Sequence, residues 1–295
     1  MVKADMELLN YDGCAVAEPL RGCAVAPPST PQLLNPSTPQ LLNPSTSQQL
    51  NPVIELEHVN AGYPGVEILG DVSFTVNAGE VFVLLGGSGC GKSTVMRHMI
   101  GLNPVLGGTL RVLGMEMNRK NRSKILRRIG VMYQSGALFG SMTCLQNVML
   151  PLEEFTKLGR KAREEKALDL LGQVGLADAA GKMPAEISGG MKKRVAIARA
   201  MALDPEILFL DEPSAGLDPI TSSALDDLIL KIRAERDTTF IVVTHELPSI
   251  FKIADRCAMF DKARHGMIAL GSPSELRDSV DDDFVRRFFS RNRAD

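Results

Sequence analysis

The chain has 295 residues, a formal net charge of −2 and 44% hydrophobic residues. That is enough for one large domain or two small ones with a real core, and the charge excludes an electrostatic footprint for bulk nucleic-acid binding. Its cysteines (Cys14, Cys23, Cys90, Cys144 and Cys257) are scattered, odd in number and without metal-ligand spacing, which points to a reducing compartment.

Residues 1–52 are a different material from the rest. Pro-Ser-Thr-Pro-Gln-Leu-Leu-Asn begins at Pro28 and again at Pro36, then decays from Pro44 to Asn51, while Gly-Cys-Ala-Val-Ala occurs at Gly13 and at Gly22. Short repeats rich in Pro, Ser and Asn cannot bury enough apolar surface to offset chain entropy, so a disordered extension is expected. The period is far below the roughly 20 residues of a solenoid repeat. No apolar stretch follows Lys3 as a signal peptide would require, and no run approaches the roughly 18 apolar residues of a membrane span.

The folded part is expected over 53–295. Val53–Val59 alternates as an edge strand would, Gly62-Tyr63-Pro64-Gly65 forms a turn, and Val72–Val76 alternates again. Val81-Phe82-Val83-Leu84-Leu85 is a fully apolar strand, as are Ile207–Leu210 and Phe240–Val243. Continuous apolar strands separated by helical patterns predict a mostly parallel sheet covered on both faces, with an antiparallel β edge. In such sheets ligands sit at the carboxyl ends of the strands. The residues that follow the three runs are Gly86, Asp211-Glu212 and Thr244-His245, so three polar clusters are expected to meet at one sheet edge.

The first cluster is the most specific. Gly86-Gly87-Ser88-Gly89-Cys90-Gly91-Lys92-Ser93-Thr94 fits G-x-x-x-x-G-K-[ST], the loop that wraps nucleotide phosphates. Glycines turn the backbone tightly and aim successive N–H groups at an anion. A helix starting near Gly91 adds the positive end of its dipole. Lys92 would reach the outer phosphates and the Ser93 hydroxyl would hold Mg²⁺. Asp211 could support the Mg²⁺ shell, and Glu212 could orient or deprotonate the attacking water. His245 alone has weaker standing.

Its company decides the matter. Ile187-Ser188-Gly189-Gly190-Met191 precedes an amphipathic helical stretch, Lys192–Ala200, shortly before Asp211. Ser188-Gly189-Gly190 reads as a helix N-terminus able to bind phosphate through its N–H groups. With Tyr63 upstream, Gln134 after the strand Gly130–Tyr133, and Ser214-Ala215-Gly216-Leu217-Asp218 after Glu212, the chain resembles the ATPases of ABC transporters. The resemblance implies a P-loop α/β fold with a small helical subdomain at about 135–190. It also implies ATP with Mg²⁺ held by Ser93, Gln134 and Asp211, and two ATP molecules sandwiched between two copies of the chain. Tyr63 would stack on adenine, and Gln134 would touch Mg²⁺ and water and relay to a membrane partner. Ser188 and Gly190 would bind the γ-phosphate of ATP held by the other subunit, Asp218 would align the dimer seam, and His245 would grip the γ-phosphate. Met191 stands where the family usually has glutamine, which puts one side-chain contact in doubt and leaves the backbone anion site. A non-transport ABC ATPase acting on nucleic acid would usually carry two cassettes or a long insertion.

Three finer features are shared with one subfamily. The run Gln134-Ser135-Gly136-Ala137-Leu138-Phe139, the signature Ser188-Gly189-Gly190-Met191 and Asp218-Pro219-Ile220-Thr221 are similar to the ATPase of Mla-type (MCE-associated) phospholipid transport systems. That likeness implies integral-membrane permease subunits, an MCE-type lipid-binding protein, phospholipid carried by those partners, and a place at the cytoplasmic face of the inner membrane. The alternative is the ATPase of a generic importer of another small solute. The tail Asp281–Phe289 reads as a helix with an acidic start and an aromatic stripe. Phe284, Phe288 and Phe289 pack either on their own domain or on a second subunit.

Overall fold

A computed structural model describes residues 51–278 and 280–290. Apart from Asn51 and Pro52, the repeat extension expected over 1–52 lies outside the described residues. In chain order the elements begin with β1 (Pro52–Tyr63), β2 (Val66–Asn77), β3 (Val81–Gly86), α1 (Lys92–Met99), β4 (Gly107–Val112), β5 (Met115–Glu116), α2 (Arg122–Leu126) and β6 (Ile129–Met132). Next come α3 (Cys144–Phe155), α4 (Arg160–Gln173), α5 (Gly189–Ala200), β7 (Ile207–Asp211), α6 (Pro219–Arg236) and β8 (Thr239–Val243). The chain closes with α7 (Leu247–Ile253), β9 (Arg256–Asp261), β10 (Gly266–Gly271), α8 (Pro273–Asp278) and α9 (Asp283–Ser290).

The strands form two sheets. The larger runs β10-β9-β3-β8-β7-β6, parallel throughout except for β10, which pairs antiparallel with β9. Its central strand β3 is buried along its whole length. Alternation divides its side chains between two cores: Val81, Val83 and Leu85 meet the helices α5, α6 and α7, whereas Phe82 and Leu84 meet the second sheet and α1. Phe74 of β2 stacks on Phe82 with ring centroids 5.1 Å apart, which ties the two sheets together. A parallel strand covered on both faces needs a continuous apolar run, which is why β3, β7 and β8 are recognisable in the sequence.

The second sheet is antiparallel, in the order β2-β1-β4-β5. Here the edge-strand reading of Val53–Val59 is corrected. β1 pairs with β2 through Leu56–Phe74 and with β4 through Leu56–Leu110, so it is an interior strand. Its second neighbour, Gly107–Val112, opens on two glycines and alternates only over Thr109–Val112, a run too short to mark a strand in the sequence. Gly108 sits at φ +77° with its α-carbon against the His58 carbonyl, where a β-carbon would come within 2.1 Å. The glycine is there because the strands touch.

Helices α3 and α4 lie between β6 and α5, where the helical subdomain was expected. A capping box starts α3: Thr143 Oγ1 accepts the Gln146 N–H while Gln146 Oε1 accepts the Thr143 N–H. At the other end of the chain, α9 packs on its own domain. Val285, Phe288 and Phe289 are buried, and the Phe289 ring meets Phe251 of α7 edge-on at 5.7 Å.

Candidate functional site

The carboxyl ends of β3, β7 and β8 open onto a cavity of about 610 Å³ lined by Gly86, Gly87, Ser88, Gly89, Lys92, Ser93, Gln134, Asp211, Glu212, His245, Glu246, Leu247 and Phe288. The three polar clusters do meet. The loop between β3 and α1 forms its floor. Gly86 lies at φ +139°, and Gly91, the N-cap of α1, at φ +102°; a β-carbon on Gly91 would strike Leu69 Cδ1 at 2.6 Å. Both positions therefore need glycine. The Lys92 ammonium donates to the Gly86 and Gly87 carbonyl oxygens, each at 2.9 Å, and Cys90 is buried beneath the loop with its sulfur 3.8 Å from Lys92 Nζ. Ser93 and Thr94 follow in the first turn of α1, where N–H groups without intrahelical partners favour an anion.

Asp211 ends β7 and Glu212 follows it at φ +47°. That left-handed conformation costs a non-glycine residue about 1–3 kcal/mol. Two main-chain contacts hold it: the Glu212 N–H donates to Val243 O at 2.9 Å, and the Lys193 ammonium donates to Glu212 O at 3.1 Å. His245 Nδ1 lies 3.0 Å from Glu212 Oε1, while Glu212 Oε2 is buried without a hydrogen-bond partner. Glu212 lines the cavity, and a carboxylate with one oxygen left without a hydrogen-bond partner is suited to act as a general base there. Burial, with the Glu212 charge beside it, holds the Asp211 carboxyl above the ordinary carboxylate range, against the pull of Arg97, Lys193 and Lys92. A bound cation would relieve that cost.

Ser93, Gln134 and Asp211 share the cavity lining. Among the described residues no cluster of three His, Cys, Asp or Glu side chains could hold a metal by itself. This donor set fits Mg²⁺, a hard cation that takes one or two protein oxygens and completes its shell with phosphate and water.

The remaining candidates lie off this cavity. Ser188 caps α5, its hydroxyl accepting the Met191 N–H at 3.3 Å. Gly189 and Gly190 start that helix against α6, where a β-carbon on Gly190 would come within 2.5 Å of Thr221 Cγ2. Asp218 caps α6 by accepting the Ile220 and Thr221 N–H groups at 3.1 and 3.0 Å. Its hydrogen bond from the Thr221 hydroxyl holds the carboxyl below its ordinary range. Tyr63 ends β1 and is partly exposed, its hydroxyl accepting from Arg97 at 2.7 Å. The same helix α1 thus carries Lys92 to the phosphate loop and braces Tyr63.

A histidine that the sequence did not single out completes that brace. His98 is fully buried on α1; its Nε2 accepts the Gly62 N–H at 2.9 Å and its Nδ1 faces Asn103 O at 3.1 Å. Accepting from Gly62 requires the neutral ring, and burial pushes its pKa down. Because the folded value is depressed, this contribution is whole above about pH 6.5 and is lost as pH falls below that. Between about pH 6.5 and 5 the wild-type melting temperature should fall relative to that of His98→Gln, which cannot titrate. Parallel curves over that range would show that His98 does not carry the acid sensitivity.

The loop after β6 is fastened just as closely. Asn147 accepts the Phe139 N–H at 2.8 Å and donates to the carbonyls of Phe139, Met142 and Thr143. Arg199 donates to the Gly136 and Ala137 carbonyls, each at 2.8 Å. Lys193 donates to the Gln134 carbonyl. Lys193, Arg199 and Asn147 were missed in the sequence, though a lysine on the Gly190, Ala196, Ile197 face of an amphipathic helix was a readable anomaly.

A phosphate loop, an apolar strand ending in paired carboxylates, and a parallel sheet define a P-loop nucleotide hydrolase. The comparisons narrow it. The ABC transporter family pattern matches residues 69–215. The chain is 38% identical over 243 residues to a probable ribonucleotide transport ATP-binding protein, mkl, of Mycobacterium tuberculosis, covering 81% of this chain and 67% of that one. It is 35% identical to the glutamine transport ATP-binding protein GlnQ of Geobacillus stearothermophilus, covering 81% and 98%. Among solved structures, cbiO1 of Clostridium perfringens, part of the cbiONQ ABC transporter complex, matches with a TM-score of 0.71 at 28% identity over 77% of this chain and 90% of that one. A dimeric post-hydrolysis state of the ATP-binding cassette MJ0796 with ADP and Pi matches with a TM-score of 0.67 at 28% identity, over 74% and 98%. This chain belongs to the ABC transporter ATP-binding family, and it binds and hydrolyses ATP.

Proposed function

We propose that this chain powers a phospholipid transporter of the Mla type. It would do so as a homodimer docked on integral-membrane permease subunits, at the cytoplasmic face of the inner membrane, with an MCE-type lipid-binding protein beyond them. In each site Lys92 and the loop N–H groups hold the phosphates, and Ser93, Gln134 and Asp211 hold Mg²⁺, whose charge offsets that of the phosphates. Glu212 takes a proton from the attacking water, and His245, 3.0 Å from Glu212 Oε1, orients that carboxylate and meets the γ-phosphate. Ser188, Gly189 and Gly190 of the partner copy close over the same phosphate, aligned by Asp218, while Tyr63 stacks on adenine.

The observation that carries the lipid assignment is the run Gln134–Phe139, with Phe139 half exposed on a loop otherwise pinned by Asn147 and Arg199. Moving a two-tailed lipid through water exposes on the order of 30 methylenes at about 0.8 kcal/mol each, roughly 24 kcal/mol. Among the described residues no helix is long and apolar enough to cross a membrane, so we place the lipid path in other chains. This chain supplies closure of its dimer, passed on through the loop after Gln134. Leu138→Asp or Phe139→Asp should therefore weaken permease association at least tenfold while leaving ATP affinity unchanged. Pull-down and nucleotide titration on the same variant check it, and intact association would remove this loop from the docking role. The similarity to a glutamine transport protein favours, as the second reading, an importer of a small polar solute.

A further inference from the structure

Helix α5 begins at Ser188, and its inward face carries Lys193, only 7% exposed. An ammonium so placed is costly unless it is fully hydrogen-bonded. Among the described residues it forms no ion pair; its Nζ donates to the main-chain carbonyls of Gln134 and Glu212. These carbonyls belong to different elements, the loop after β6 and the turn after β7, yet both residues line the same cavity. Glu212 holds a left-handed conformation, φ +47°, that persists only where its surroundings enforce it.

We infer that Lys193 is a positioning residue for ATP hydrolysis: by bridging the Gln134 and Glu212 carbonyls, it fixes where those two side chains stand relative to each other. Lys193 is not itself among the residues that line the cavity. Because the peptide unit is planar, a carbonyl held in place fixes the orientation of its peptide plane, and with it the direction in which the neighbouring Glu212 side chain leaves the backbone. Lys193 also lies one helical turn from Gly190, so a shift of the Ser188 end of α5 is carried directly to both carbonyls. The inference rests on the roles proposed for Gln134 and Glu212.

Lys193→Met, which keeps the length and removes the donors, should lower kcat about 10- to 100-fold, the size of effect that a misplacement near 1 Å produces. KM for MgATP and affinity for a fluorescent ATP analogue should stay within about twofold, because the phosphate loop is untouched. Lys193→Gln, with an uncharged donor, should fall between the two. A purely structural lysine would instead lower the melting temperature and raise KM in step with the loss of rate. Wild-type kcat in a folded Lys193→Met protein overturns the inference. If Lys193→Met does not fold, Lys193→Gln decides: a reduced kcat at unchanged KM supports it and a wild-type kcat overturns it. Glu212→Gln is measured alongside. Near-normal hydrolysis there sinks the assignment of Glu212, whereas a strongly slowed Glu212→Gln beside a fully active Lys193 variant sinks only the inference about Lys193.

Discussion

Glu212→Gln is expected to bind ATP as the wild type does and to hydrolyse it about 10²- to 10⁴-fold more slowly, the usual worth of a positioned base. The substitution keeps the shape of a side chain whose Oε2 is buried without a partner and whose Oε1 faces His245 at 3.0 Å. It removes only the capacity to take a proton. The backbone at φ +47°, held by Val243 O and Lys193, is common to both forms, so loss of folding does not complicate the result. Slow turnover should also let the ATP-bound dimer accumulate, visible by size-exclusion chromatography as a doubling of mass. Near-normal hydrolysis would take Glu212 out of the proton transfer and leave His245 as the candidate.

Gly86→Ala tests the floor of the site. At φ +139° a β-carbon would come 2.3 Å from Phe260 O and 2.6 Å from the Cys90 sulfur. The main-chain oxygen of β9 cannot move without disturbing its pairing with β3. Overpacking of this kind costs about 1–3 kcal/mol and the forced dihedral a similar amount. At about 2–4 °C per kcal/mol for a domain of this size, the melting temperature should drop by roughly 5–20 °C. ATP binding should be lost as well, since the Gly86 carbonyl is one of the two that seat Lys92. Gly181→Ala is the control: nothing lies within 4 Å of its β-carbon and its φ is not positive. Equal stability of the two variants would mean that the loop relaxes around the added methyl group.

What could be read from the sequence was what local chemistry dictates. The phosphate loop announces itself because only glycines reach the dihedrals found at Gly86 and Gly91. The strand before Asp211 does so because a doubly covered parallel strand must be apolar at every position, and Ser188 does so because an N-cap needs a side-chain acceptor. The rest depends on partners far along the chain. β1 was mistaken for an edge strand because its second neighbour, β4, begins about 50 residues later at Gly107 and carries no strong pattern. The pairing of His245 with Glu212 and the bridge from Lys193 to Gln134 span 33 and 59 residues, and no periodicity reports such distances. Of the two placements open for the C-terminal aromatic stripe, the buried Phe288 and Phe289 show packing on their own domain, with Phe288 lining the cavity. Leu138 and Phe139 were legible only through a family likeness.

ATP-dependent transfer of labelled phospholipid in proteoliposomes, carried out with this chain co-purified with its permease, tests the central proposal most directly. Transfer that requires ATP and Mg²⁺ and that stops when Glu212→Gln replaces the wild-type chain is the expected result. ATP-dependent uptake of glutamine or another small solute, with no phospholipid moved, would contradict it.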